Sequence, residues 1–334
     1  MNIEIKTIDQ IDRKEWNDLL AHSSTASYFQ SPECYDFYQS LSFINPFGYG
    51  VSENGKLKGL VIGYIISDGN KIKRFFSRRA IIPGGALLSE GISDDALNLL
   101  LDILKKDLKN KVIYIEFRNY NNYNGFKELF TEKGFTYKTH LNFHVATPNP
   151  ELSMKNLSST KRRDVKLSIK EGAEIIEIKT NEEIREYCNI LFDLYKTKIK
   201  TPVFPLEFFE KLILLSSGII IAIKYQNRII GGSVCVGLEH KMLFEWFVCG
   251  IDGKFKNIYP STLATWGAIK YASENGYQYF DMMGAGKPDE AYGVREFKSK
   301  FGGELVEFGR FVCVNNQYLF NLGRLAIRII KKIK

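Results

Sequence analysis

A chain of 334 residues, 45% hydrophobic and 13% aromatic, is long enough for two packed domains and excludes a disordered protein. Its five cysteines are dispersed, with no metal-ligand spacing, so they read as reduced core thiols and exclude a disulfide scaffold. A net charge of +8 favours anionic partners (phosphates, nucleic acid or a membrane surface) without choosing among them.

The start of the chain, Met1-Asn2-Ile3-Glu4-Ile5-Lys6, alternates like a strand and lacks the apolar core of a signal peptide. Apolar runs over 59–66 and 218–223 are too short to span a bilayer, so no transmembrane segment is expected and the location reads as cytoplasmic. Residues 49–66 form a hairpin around Glu53-Asn54-Gly55-Lys56, because Asn-Gly favours a tight turn. A second turn, Ser67-Asp68-Gly69-Asn70, leads into another strand. After the loop at Pro83-Gly84-Gly85, Leu97, Leu100, Leu101 and Leu104 recur at helical spacing and predict a helix over 93–109. A strand over 112–117, a helix over 125–133 and a strand to Val145 close the first half.

Thr147-Pro148-Asn149-Pro150 reads as a linker, since proline disfavours regular structure on either side. A basic helix follows over 159–171, then helices over 181–199 and 206–216. Strands are predicted over 219–225, 229–237 and 241–248. A helix runs over 260–275, with Pro260 at its first position and Gly276 past its end. A strand over 277–283, a short helix and a strand over 304–314 complete the body. Each half therefore has a meander followed by crossover helices, which predicts an α/β (α+β) protein with a mixed sheet in each half. The expected domains are 1–150 and 151–317, followed by a basic tail helix over 318–334. In that tail Leu322, Leu325, Ile329 and Ile333 share one face, and Arg324, Arg328 and Lys331 share another.

Metal chemistry finds no support in the spacing. His140 and His144 lie four apart on a strand, roughly 13 Å from each other along one face, and His22 and His240 are isolated. There is no Walker-type phosphate loop, dinucleotide fingerprint or nucleophile elbow. Arg162, Lys166 and Lys170 recur at i, i+4 and i+8 on the basic helix, where cations suit a phosphate or a solvated face. Tyr195, Trp246, Tyr259 and Trp266 either line a cleft or fill a core, with core preferred for Trp266. Chemistry concentrates near the C-terminus, in Phe280-Asp281-Met282-Met283-Gly284 and in Phe297-Lys298. There a strand end offers a carboxylate and a short helix presents a lysine beside an aromatic ring.

Several of these pieces follow one pattern. Ser159-Thr160-Lys161-Arg162-Arg163, Lys170-Glu171-Gly172-Ala173, Tyr259-Pro260-Ser261, Phe280-Asp281-Met282-Met283-Gly284 and Phe297-Lys298-x-x-Phe301-Gly302 resemble the FemABX family within the GNAT-related transferases. The likeness covers about residues 155–314, and the first half more loosely through Phe29-Gln30-Ser31 and Pro83-Gly84-Gly85. It implies two tandem GNAT-like domains with a substrate cleft beside or between them. It also implies an N-acyltransferase acting on an amine of a cell-envelope precursor or sugar nucleotide.

The resemblance carries the Phe-Lys pair over to Phe297 and Lys298, with the lysine as the functional position, and implies Arg162 and Arg163 as anion contacts; Lys166, on the same helix, is a further substrate-binding candidate. Tyr195, Trp246 and Tyr259 are further substrate-binding candidates. Transfer also needs an oxyanion stabiliser and a proton acceptor. Lys298 suits the oxyanion, the leaving group or a substrate phosphate, and Asp281 or Glu116 suits the proton, directly or through water; the other reading of Asp281, and the preferred one, is a structural acid at a strand end. The Lys298→Ala change is then expected to abolish transfer and leave folding intact.

The donor implied is an acyl-CoA, acetyl-CoA included, or an aminoacyl-tRNA, with no metal. Aminoacyl-transferring members tend to show Asp-Pro at the end of a first-domain strand. Here Ile115-Glu116-Phe117-Arg118-Asn119 stands instead, closer to the acyl-CoA, CelD-type relatives, and no heptad pair forms a helical arm. The alternatives are a tRNA-dependent transferase that builds peptidoglycan bridges, and a non-catalytic relative that holds RNA or membrane. The acceptor expected is phosphate-bearing, either a small molecule or lipid-linked. The tail would then allow peripheral contact with the inner face of the cytoplasmic membrane.

Overall fold

The computed structural model describes residues 2–69 and 71–333, with the side chains at 71–72 and 326–333 outside the description. Strands β1 (Ile3–Thr7), β2 (Asn45–Glu53), β3 (Lys56–Ile66), β4 (Arg79–Gly84), β5 (Leu87–Leu88), β6 (Tyr114–Asn119) and β7 (Thr136–Lys138) come first. Strands β8 (Leu141–Ala146), β9 (Glu174–Glu177), β10 (Gly218–Tyr225), β11 (Arg228–Leu238), β12 (Met242–Gly250), β13 (Tyr279–Asp281) and β14 (Glu304–Glu307) follow, and β15 (Arg310–Val314) is last.

The chain divides into two compact units. Residues 1–139 and 308–334 form one, and residues 140–307 form the other. The first sheet runs β1-β2-β3-β4-β6-β15-β7, with β5 beside β3, and β4–β6 is its parallel pair. The second runs β9-β10-β11-β12-β13-β8-β14, and β12–β13 is its parallel pair. Every other ladder in both sheets is antiparallel. The two halves thus share one topology, and the mixed α/β class expected from the meanders is observed.

Two boundaries differ from the sequence reading. The strand that ends near Val145 was expected to close the first half, but β8 pairs with β13 and β14 in the second sheet. The single strand expected over 304–314 is two strands, separated at Gly309, whose φ of 64° breaks the extended run. The piece after the break, β15, pairs with β6 and β7 in the first sheet. Alternation in a sequence shows that a segment is extended and does not name its partner, which is why the exchange escaped the reading.

Local signals explain most elements. The Asn54-Gly55 turn carries φ values of 49° and 80°, as a tight hairpin between β2 and β3 requires. Helix Asp94–Leu108 is capped by the Ser93 hydroxyl and buries Leu97, Leu100, Leu101 and Leu104 on one stripe. The expected linker at 147–150 is instead a helix start. The Asn149 carboxamide accepts the Leu152 N–H at 2.9 Å, and Pro150 opens helix Pro150–Asn156, where its missing N–H costs nothing. The turn expected over 67–70, of which Asn70 lies outside the described residues, is followed first by helix Lys71–Ser77 and only then by β4. That helix exposes most of its described side chains, so it leaves no apolar period to read.

Helix Pro260–Glu274 buries ten residues, from Pro260 to Ala272, and packs on β11 and β12. Its apolar positions are small or aliphatic around most of the surface, as a helix sunk in a core requires. It fixes the face on which the candidate site of the second unit is built.

Candidate active site

The second unit gathers a buried polar cluster at the parallel pair. β12 and β13 pair from Met242–Tyr279 to Phe244–Asp281. β12 then runs on to Gly250, whereas β13 ends at Asp281 and the chain turns away. The two strands therefore splay where the turn 282–286 begins.

That turn is held in an unusual shape. Met283 sits in the left-handed region at φ 49°, which a side chain disfavours. The Asp281 carboxylate accepts the Met283 N–H at 2.6 Å, while the Met282 N–H bonds Phe143 O and the Ala285 N–H bonds Leu141 O. From helix Gly293–Ser299, the Lys298 ammonium donates to the carbonyls of Met282, Met283 and Gly284. An ammonium has three N–H groups, and all three are used. With these carbonyls turned inward, the Gly284 N–H finds no acceptor among the described residues.

Two buried carboxylates flank Lys298. Asp281 is fully buried and also contacts His144 Nε2 at 3.1 Å and the Asn142 carboxamide at 3.4 Å. His144 lies directly opposite Asp281 in the antiparallel β8–β13 ladder, which is why the ring meets the carboxylate. Glu245 accepts from the hydroxyls of Ser233 and Thr265, both at 3.0 Å. Burial pushes the Glu245 carboxyl up, against the pull of Lys298. Burial pushes the Lys298 ammonium down, against the pull of Glu245 and Asp281.

The other candidates fall into separate groups. Phe297, next to Lys298 in the chain, packs on Phe301 and lies 4.2 Å from the Lys161 ammonium. Lys161 is buried, donates to the Thr262 hydroxyl at 2.6 Å, and is pushed down by burial. Helix Ser159–Lys170 presents Ser159, Arg162, Arg163, Lys166, Leu167 and Lys170 along an open groove of about 350 Å³. Within it Arg162 holds the carbonyls of Lys155 and Leu157, Arg163 pairs with Asp164, and Lys166 is exposed.

Trp246 is the extra residue at a β-bulge, opposite the Val234–Cys235 step. It meets Phe208 edge-on at 4.9 Å and stacks beside Phe247, which lies 6.2 Å from Tyr195. Tyr259 precedes helix Pro260–Glu274, and its N–H bonds the Ser168 hydroxyl, so it belongs with the basic helix and not with Trp246. Trp266 is buried, as expected of a core residue.

Glu116 lies in the first unit and is already engaged. Arg118 approaches one of its oxygens at 3.1 and 3.2 Å, and Arg310 the other at 2.7 Å. Despite burial, these two guanidinium groups hold its carboxyl down at about 2. Such an anion is a poor proton acceptor, which weighs against the base role expected of Glu116 and favours a structural ion pair. Reasoning from the sequence missed Glu245 and the His144–Asp281 contact, and quoted Lys161 within a motif without giving it a place in the site. The only signals were a lone acid within an apolar strand and a histidine whose ladder partner could not be read.

Residues 220–328 match the FemAB family model. No curated protein sequence matches. The whole fold is similar to a crystal structure of FemX, at 14% identity, with 96% of this chain and 99% of that chain covered and a TM-score of 0.72. It is also similar to a tandem GNAT protein from the clavulanic acid biosynthesis pathway, at 8% identity, 94% and 99% coverage and a TM-score of 0.59. A third similar structure is the C-terminal domain of a candidate lysylphosphatidylglycerol synthetase from Agrobacterium fabrum, at 13% identity, 95% of each chain and a TM-score of 0.59.

Proposed function

We propose that this chain, FemAB-like over residues 220–328 and tandem-GNAT in fold, is an acyl- or aminoacyltransferase whose reaction centre is the splay between β12 and β13. The observation that carries the reading is the turn 282–286, fixed by three carbonyl bonds to Lys298 beside a parallel pair that opens. A preorganised backbone donor at a strand end is what polarisation of an acyl carbonyl requires.

In the proposed step an amine nitrogen attacks the carbonyl carbon of a thioester or of a tRNA ester. A C–N bond forms, and the C–S or C–O bond breaks. The Gly284 N–H accommodates the oxyanion, and Lys298 holds the turn that aims it. His144, oriented by the Asp281 carboxylate, takes the proton that the amine sheds, and the leaving thiolate or alkoxide is reprotonated from solvent. Asp281, fully buried, acts through His144 in this scheme. The aromatic group of Tyr195, Trp246 and Phe247 supplies an apolar wall for one substrate. The groove beside Arg163 and Lys166 supplies contacts to a phosphate-bearing one, with Tyr259 on the same side.

The acceptor is proposed to be an amine of a phosphate-bearing or lipid-linked envelope precursor, met at the inner face of the cytoplasmic membrane. The donor is an acyl-CoA or an aminoacyl-tRNA. Both donor chemistries fit the FemX-like and tandem-GNAT folds, and the phosphate-bearing lipid for which the similar Agrobacterium fabrum domain is named supports a phosphate-bearing acceptor. The test is product mass spectrometry after incubation with acetyl-CoA, longer acyl-CoAs or charged tRNA and a pool of amine-bearing precursors. One donor is expected to add its acyl mass to an amine, and a His144→Gln variant is expected to lose at least about 100-fold in rate. No mass gain from any donor would leave a non-catalytic relative as the reading.

A further inference from the structure

The positive charge of the chain is concentrated in two segments far apart in sequence. Residues 71–79 and 318–334 hold five cations each and no acid. The remaining residues carry 36 basic and 38 acidic side chains, so their net charge is −2, against +8 for the whole chain.

The fold of the first unit brings these segments together. Helix Lys71–Ser77 packs against helix Gln317–Ile333. The C-terminal helix is seated at its start: Asn316 accepts the Leu319 N–H at 2.9 Å, and Phe320 meets Tyr114 edge-on at 5.3 Å. Its apolar exposure is therefore not a sign of a detached segment. Around the junction Phe75 is 50% exposed, Phe76 43%, Leu325 53% and Leu322 42%. Arg78 lies 4.7 Å over the Phe75 ring, so cation and aromatic are presented as one surface.

Exposed aromatic and aliphatic side chains on helices that carry Lys73, Arg74 and Arg324, with Arg78 beside them, match one partner in charge and in polarity. Anionic headgroups attract the cations, and the boundary beneath them accepts rings and leucines. RNA would engage the cations and could stack on the phenylalanines, but it offers nothing to Leu322 and Leu325. Among the described residues, no helix is long and apolar enough to cross a membrane. The surface is thus suited to lying on a bilayer.

We propose that the first unit docks on an anionic lipid surface through this joint face, with Phe75 and Phe76 entering the interface beside Leu322 and Leu325. The sequence pattern pointed to the tail alone; the structure adds the 71–79 segment as its partner. The inference does not rest on the transferase reading, because both segments lie outside residues 140–307.

Sedimentation of the full chain with phosphatidylcholine vesicles, and with mixed phosphatidylcholine–phosphatidylglycerol vesicles, tests it. Binding is expected only to the anionic vesicles and should weaken as salt rises. The Phe75→Ser/Phe76→Ser and Leu322→Ser/Leu325→Ser pairs should each lower vesicle affinity at least tenfold, roughly the effect of removing two interfacial apolar groups. Both pairs should keep the thermal midpoint, and their binding to bulk tRNA should be unchanged. Equal binding to neutral and anionic vesicles would overturn the proposal, as would vesicle affinity that neither pair alters. A loss of tRNA affinity in the phenylalanine pair, with vesicle binding intact, would make the face a nucleic-acid site instead.

Discussion

Lys298→Met is expected to lower the transfer rate by about 10²–10³-fold, the magnitude seen when a preorganised oxyanion donor is lost. The same change should lower stability by about 3–5 kcal/mol, the range for removing one partner from a buried charge cluster. Both effects have one origin. Met fills the volume of Lys298 but offers no N–H, so the carbonyls of Met282, Met283 and Gly284 lose their common donor. Glu245 and Asp281 lose their shared countercharge at the same moment. Only the Asp281–Met283 bond and the Met282 and Ala285 N–H bonds to β8 then hold the turn, so Met283 can relax from the left-handed region and the Gly284 N–H loses its aim.

This differs from what Phe297-Lys298 suggests as a bare motif. The sequence reading expects a lysine that faces substrate and can be removed without harm to folding. The structure instead shows a lysine with its three donors spent on backbone, so under the proposed function folding and catalysis would be coupled through it. Lys298→Arg separates the two. A guanidinium restores the positive charge, but its planar fork cannot converge on three carbonyls as an ammonium does. The arginine variant should regain part of the stability and little of the rate. If it regains full rate with the turn 282–286 unrepaired, the charge itself acts on the substrate and the positioning role fails. The comparison is read from thermal unfolding and from kcat and KM with the donor that mass spectrometry identifies.

Much of the fold was legible because its signals are local. The Asn54-Gly55 turn, the Leu97–Leu104 stripe, the proline and glycine that bound helix Pro260–Glu274, and the apolar strands of the second sheet all lie in short windows. The exchange of β8 and β15 between the sheets was not legible, since pairing is decided by contacts more than 100 residues apart. The same limit governs the site. Phe297, Lys298 and Asp281 stood out as candidates because they sit in two short motifs close in the chain. Glu245, whose partners are Ser233 and Thr265, looks in sequence like an odd acid in the middle of Leu-Phe-Glu-Trp-Phe. His144 was set aside as a metal ligand for a sound geometric reason, but the distance to His140 says nothing about an acid on the neighbouring strand.

Glu116→Gln is expected to lower the stability of the chain at neutral pH by about 3 kcal/mol while leaving the transfer rate within a few-fold of the parent. The magnitude follows from a carboxyl at about 2 in the fold, against about 4.5 in the unfolded chain, at about 1.4 kcal/mol per unit. Glu116 is well buried, so solvent screening removes little of this. The folded value is depressed, so the ion pairs with Arg118 and Arg310 contribute in full above about pH 4.5. That contribution is lost as pH falls towards 2 and the carboxylate takes a proton. The parent should therefore lose stability across that acid window, and the glutamine variant should lose distinctly less there because it has no such proton to bind. Gln also leaves Arg118 and Arg310 beside a neutral group at the β6–β15 ladder, where Glu116 and Val312 are direct partners. Denaturant unfolding at several pH values measures the window, and the rate assay at low temperature isolates the chemistry from the fold. A variant that keeps its acid limb and its stability but loses transfer would return Glu116 to the role of proton acceptor. A carboxylate held by two guanidinium groups at 2.7 and 3.1 Å gives no physical reason to expect that outcome.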